Sequence, residues 1–247
     1  MNFNATQLSL FDSRQSNDPF AVRVSTRARR LTARVHVGGR VEIVVPVGIG
    51  PKTVSDFVRR FTPWINAKVS VMQGYGIRAH AVQDQGLPTS VDFALTGERF
   101  NVHWHSCVPP KLTEMDQRLE IQAPDFGAAR ALLCGWLKRA ASVRLASRLF
   151  DLAGALGFRV DKVTIRTQRT RWGSCSARGT LSLNASLMFQ TPEVVHYLFV
   201  HELAHIRHMN HSSEFWRLVE SIEPKYRQLD RDLLAGWHRV PAWVFKN

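Results

Sequence analysis

Three histidines and one glutamate in the segment HELAHIRHMNHSSEFW, which begins at His201, have types and spacing suited to one metal ion and one proton. On a helix, residues four apart share a face, so His201 and His205 can present ring nitrogens to a single cation. Glu202 lies one step round, close enough to take a proton from a water held there and not needed as a ligand. A cation that keeps one tetrahedral position open for water needs a third ligand. His211 comes six residues after His205, so the chain must turn back towards the metal. Asn210 is expected at that turn because asparagine tolerates a left-handed backbone, and Ser212 or Ser213 is expected to cap the next helix. His208 could also face the metal, but a third ligand from the same helix would crowd it. His103, His105, His196 and His238 read as ordinary core or surface residues.

The chemistry expected of this set is hydrolysis, with Glu202 as catalytic base and His201, His205 and His211 as ligands, the arrangement of zinc hydrolases built on an H-E-x-x-H helix. Neutral imidazoles favour Zn2+ or another transition metal over magnesium. A second segment, RTQRTRWGSCS from Arg166 to Ser176, is rich in groups that could touch a substrate. Arg169, Arg171, Trp172 and Ser174 are the candidates for substrate binding. The alternative is that Trp172 packs in the core and the arginines solvate a strand edge. Gly173 is expected at a turn. Cys175 reads as a small buried residue rather than a nucleophile, since no partner histidine is identifiable.

These residues need elements to position them. Thr191-Pro192-Glu193 reads as a helix start, with an N-cap, a proline at the first helical position and an acid in the first turn. That helix should run through VVHYLFVHELAHIRH, followed by helices from about Ser213 and from Tyr226 to Leu234. Short strands are expected around KVTIRT and TLSLNAS. A long helix is expected from Phe126 to about Leu156, with Leu132, Leu133, Trp136, Leu137, Val143, Leu145, Leu149 and Phe150 among its apolar positions.

Upstream, RLTARVHVGGRVEIVVP reads as a hairpin around Gly38-Gly39. VSDFVRRFTPWINAKVSVM has helical spacing at Val54, Phe57, Phe61 and Ile65, and Pro63 is expected to break or restart it. Residues 72–90 read as a loop. VDFALTGERFNVHWH reads as two strands joined at Gly97, and RLEIQAP as a third. The class is α+β: a flexible tail over 1–20, a β-rich subdomain over 21–124, and a catalytic domain with the active-site helix over 125–247.

TRWGSCSARGTLSLNASL and VVHYLFVHELAHIRHMNHSSEFW together closely resemble the YgjP-like metal-dependent hydrolases, grouped by fold with the zincin metallopeptidases. The resemblance extends weakly to RARRLTARVHVGGRVEIVVP and TPWI, and covers roughly residues 25–235. It implies a zincin-like catalytic domain, His201, His205 and His211 as zinc ligands, and Glu202 as base. One departure is that Asn184 is followed by Ala185 and Ser186, a change expected in the lining of the cleft. Cleavage of peptide bonds is the activity expected first, with an exposed strand edge aligning the peptide. Relatives that act on UTP make a metal-dependent nucleoside triphosphate pyrophosphatase the alternative, which the arginines near Arg171 would suit. The non-enzymatic alternative is a metal-stabilised module binding nucleic acid or protein, and the intact Glu202 argues against it.

The 247 residues include 33 Lys and Arg against 20 Asp and Glu, a net charge of +13 that points either to a polyanionic partner, nucleic acid (DNA among them) or a nucleotide, or to a solvated basic surface. No run approaches the ~18 apolar residues of a membrane span. The start lacks the basic and apolar order of a signal peptide. Three cysteines without a CxxC pair argue against a disulfide framework and fit a reducing, cytoplasmic setting. In the tail, Gln7, Leu8, Leu10 and Phe11 resemble the short motif that bacterial repair proteins insert into the sliding clamp, a tether that could bring the enzyme to DNA-associated proteins.

Overall fold

A computed structural model describes residues 20–35, 40–81, 86–176 and 178–245. The clamp-like residues Gln7, Leu8, Leu10 and Phe11 lie outside the described residues, as does the Gly38-Gly39 tip. Two compact units part between Ala81 and Val82.

In the first unit, β2 (Thr32–Val35) and β3 (Val41–Pro46) pair antiparallel as the hairpin reading required. The sequence reading had no element at β1 (Phe20–Ser25), which pairs parallel to β3 and makes it the central strand. The register puts Val22, Val24, Val41, Ile43, Val45, Ala33 and Val35 on one face and Arg23, Arg34 and Glu42 on the other. Helix α1 (Pro51–Ala81) contacts β2 and β3 and buries Val54 and Ile65. Pro63 does not break it. Proline removes one donor to the carbonyl four residues back, but Arg59 and Pro63 are both exposed, where water can serve that carbonyl. The helix also continues through Gly74 and Gly76, so residues 72–81 are not the expected loop.

The second unit opens with a four-stranded sheet in the order β4-β5-β7-β6. β4 (Ser90–Phe93) and β5 (Glu98–Ser106) turn at Gly97, whose φ of 73° is open to glycine without strain. β7 (Arg118–Ala123) runs parallel to β5. β6 (Lys111–Met115), an unforeseen edge strand, is largely exposed and polar and so lacks the alternation that marks a half-buried strand. Helix α2 (Phe126–Ala155) is capped by Asp125, which accepts from the Ala128 N–H at 2.8 Å. Its Leu133, Trp136, Leu137, Leu145 and Leu149 are buried, whereas Val143 and Phe150 face solvent. Trp136 stacks on Phe93 and donates to Glu114 of β6, and Arg144 pairs with Glu98 of β5. These contacts join the sheet to α2. The compositional boundary at 124/125 therefore falls inside a packed unit, because a change from strand to helix is not a change of core.

Beyond α2, β8 (Lys162–Arg166), β9 (Gly173–Cys175) and β10 (Thr180–Asn184) form a sheet in the order β8-β10-β9. β10 is parallel to β8 and antiparallel to β9, which leaves β9 on an edge. A 3-10 turn over Ala185–Phe189 leads to α3 (Pro192–Arg207), then α4 (Ser213–Ile222) and α5 (Tyr226–Ala235). The α+β class holds. No helix among the described residues is long and apolar enough to cross a membrane.

Candidate metal centre

Helix α3 carries His201, Glu202 and His205 on the stretch that packs against β9, α4 and α5. Pro192 and Glu193 begin it as expected. The Thr191 side chain makes no capping bond to the helix backbone and bonds to the Glu193 carboxylate instead. The helix stops at Arg207, and the chain returns through residues 208–212. Asn210 is not left-handed there: Asp116 is the sole non-glycine with positive φ among the described residues. Ser212 caps α4, its hydroxyl accepting from the Phe215 N–H at 3.4 Å. His211 is thereby brought back to the other two histidines.

His201, His205 and His211 each offer one ring nitrogen, and these atoms all lie within 4.8 Å of one another. Nε2 of His201 and Nε2 of His211 are 3.1 Å apart. Nitrogens around a tetrahedral transition-metal ion stand about 3.3 Å apart, given bonds of about 2.0–2.1 Å, so this pair fits one. The opposite ring nitrogens of His201 and His205 are occupied. His205 Nδ1 donates to the His208 carbonyl at 3.0 Å, which is the part His208 plays; it is not in the cluster. His201 Nδ1 lies 3.4 Å from the Tyr197 hydroxyl, which donates to Asp230 Oδ1 at 2.8 Å. Both arrangements turn Nε2 towards the common point, and such outer partners fix ring orientation in metal sites. Tyr197 keeps its proton: burial, then the Asp230 carboxylate, raises it above the ordinary phenol range.

Electrostatics favour uncharged rings at His201 and His211. Burial, with His205 and His211 adding to it, lowers His201 to about 3. His211 is lowered by burial and by His205. Beneath the rings sits Phe215, fully buried, with ring centroids 5.0 Å from His201, 4.6 Å from His205 and 4.8 Å from His211. Trp216 stacks on His211 on one side and on Tyr226 on the other. Neither Phe215 nor the Tyr197–Asp230 pair was singled out from the sequence. The signal available was the apolar pair inside SSEFW, directly after the third histidine.

Glu202 is 4% exposed. Its Oε2 has no hydrogen-bond partner, and burial, opposed by the charge of Arg171, raises its carboxyl to about 8. The other carboxylate oxygen lies against Gly173: a Cβ placed there would stand 2.5 Å from Oε1. Gly173 is therefore not a turn glycine. It lies in β9, where only a residue without a side chain admits the carboxylate.

The four candidate substrate contacts separate. Arg171 is exposed and its charge reaches Glu202. Ser174 lies on edge strand β9, paired with Ser182. Arg169 donates to the Phe245 carbonyl, a tie to the C-terminal segment. Trp172 is 6% exposed and stacked on Trp237 at 3.9 Å between centroids, so it packs in the core. The buried Asn184 amide donates to the carbonyls of Gln168 and Arg171 and holds the β8–β9 connection. Ala185 and Ser186 after it are fully buried and line no cleft. Cys175 is half-buried, and burial together with Glu202 pushes its thiol up to about 11, against a nucleophilic role.

The family model described as the YgjP-like metallopeptidase domain matches residues 29–235. Among solved structures, the metallopeptidase zymogen abylysin of Pyrococcus abyssi is 30% identical over 35% of this chain and 90% of its own, with a TM-score of 0.33. No curated protein matches the chain. The family implies a metal ion, and three converging imidazoles are a donor set that fits one. With the match spanning most of its length, the chain belongs to the YgjP-like family of metallopeptidase-type, metal-dependent hydrolases.

Proposed function

We propose that this protein is a zinc peptidase in which His201, His205 and His211 hold the metal and Glu202 moves the proton. The observation that carries the reading is the buried, unpartnered Oε2 of Glu202 on the helix that supplies two of the three imidazoles. A purely structural metal site has no use for a desolvated carboxylate beside it, since an unsatisfied buried acid costs stability. Zinc, when bound, supplies Lewis acidity towards a carbonyl oxygen and acidifies water.

Glu202 accepts the water proton at Oε2 and later releases it to the departing amine nitrogen. Its raised proton affinity suits both halves of that task. Gly173 and Cys175 lie on the face of β9 towards Glu202, and Ser174 alternates to the other. The free edge of β9 is placed to hydrogen-bond an extended peptide. Arg171 adds a positive charge beside the acid, suited to a polarised carbonyl or a substrate carboxylate.

The test offers casein and the nucleoside triphosphates, UTP included, to wild type, Glu202→Gln and the three single histidine-to-alanine variants, with metal content measured for each. Wild type is expected to cleave casein. Glu202→Gln should retain the metal and lose turnover by about 10²–10⁴-fold or more, while each histidine variant loses the metal. Hydrolysis of UTP alone would replace the peptidase reading with the pyrophosphatase. Full activity of a metallated Glu202→Gln would remove Glu202 as base.

A further inference from the structure

Between residues 20 and 81 the chain has eleven Lys and Arg residues, nine of them arginine, against Glu42 and Asp56 as the acids. Both acids are taken. Glu42 pairs with Arg23 at 2.7 Å and with Arg34 at 3.7 Å, so one carboxylate is shared by two guanidinium groups. Asp56 pairs with Arg59 one turn along α1. The β1–β2 connection, Thr26-Arg27-Ala28-Arg29-Arg30-Leu31, places three exposed arginines in succession, and none has an acidic partner among the described residues. Arg40 is exposed at the far end of the hairpin, beside the start of β3.

The strand register arranges these charges in space. β1 and β3 run side by side from Phe20↔Val41 to Ser25↔Pro46. The Arg27–Arg30 turn follows the last of these pairs, and Arg40 precedes the first. Arg23 and Arg34 lie between, on the sheet face that also carries Glu42 and the buried Val44. At about 3.3 Å per residue the row is roughly 20 Å long, enough to meet several consecutive phosphates. Its makeup is that of a phosphate reader, because a guanidinium fork grips two phosphate oxygens at once. A lipid surface would call for apolar side chains to insert at the tip of the loop. Here the one large apolar residue, Leu31, is half-buried.

We propose that this arginine row on the N-terminal unit is a docking surface for the phosphodiester backbone of nucleic acid, read by charge and not by sequence. The inference does not depend on the peptidase reading, since no residue of the metal centre takes part. It gives the excess charge of the chain a definite address.

The test is fluorescence anisotropy of the full-length protein on a labelled DNA duplex across a salt series, repeated with phosphatidylserine vesicles. Wild type should bind the duplex, with affinity falling steeply with salt. Arg27→Ala/Arg29→Ala/Arg30→Ala should bind at least about tenfold more weakly near 100 mM salt and lose about 2–3 from the log–log salt slope. Arg27→Lys/Arg29→Lys/Arg30→Lys keeps the charge and should retain most of the binding. Lys138→Ala/Arg139→Ala/Lys162→Ala removes the same charge from exposed sites in the other unit and should change affinity less than about threefold. Metal content and melting temperature should match wild type in all three. The proposal fails if wild type does not bind the duplex, if the alanine set in the other unit costs as much, or if vesicles compete better than DNA.

Discussion

At position 173 an alanine would bring a methyl carbon within 2.5 Å of Glu202 Oε1 and within 2.9 Å of its Cδ. Something must then shift, and the carboxylate is the group free to do so, since its partner oxygen is tied to nothing. On the proposed role of Glu202, Gly173→Ala is therefore expected to keep the metal, because no proposed ligand is touched, and to lose about tenfold or more in turnover through a misplaced carboxylate. Metal analysis beside steady-state kinetics checks it; a wild-type rate would show that the carboxylate has room. Sequence reading gave Gly173 to a turn, since a glycine signals backbone freedom and close approach with the same letter. The identity of the neighbour that needs the space is long-range information.

At the scale of the element, α4 decides whether three histidines become one site. It presents Phe215 to all three rings and is capped by Ser212 immediately after His211. Phe215→Ala should destabilise the metal-stripped protein by about 3–5 kcal/mol and weaken metal binding besides, as measured by denaturation and by competition with a chelator. Phe215→Leu keeps most of the apolar volume and should cost far less. A Phe215→Ala variant with unchanged metal affinity would reduce the ring to ordinary core. Legibility followed local signal strength. α2 and α3 were readable because caps, proline and long apolar periodicity agree, and the metal trio because its spacing is a local fact. β1 was missed because it is short and gains its place only by pairing with β3 across the sequence. α1 runs on past Pro63, where the carbonyl of exposed Arg59 is open to water. Trp172 reads in the sequence either as core or as a substrate contact, because its partner, Trp237, lies far along the chain.

For the molecule as a whole, the metal centre is a source of instability when stripped. The Glu202 carboxyl rises from 4.5 to about 8 on folding, so the folded state binds its proton more tightly than the unfolded state. Stability therefore falls as pH rises through that window. His201 moves from 6.5 to about 3, which works in the opposite sense and is spent above pH 6.5. Between pH 6.5 and 8, the melting temperature of chelated wild type should drop, and that of chelated Glu202→Gln should stay nearly level. Equal slopes for the two would place the titration elsewhere.

The indole pair Trp172–Trp237 has a use apart from packing. Two like chromophores stacked at 3.9 Å and 24° are close enough for their excited states to couple. Such coupling writes a paired positive and negative band into the far-ultraviolet circular dichroism spectrum. Trp172 immediately precedes β9, and Trp237 lies two residues past the end of α5. That signal is a label-free optical gauge of whether the edge strand beside Glu202 is seated, readable in real time as metal is withdrawn or a peptide is offered.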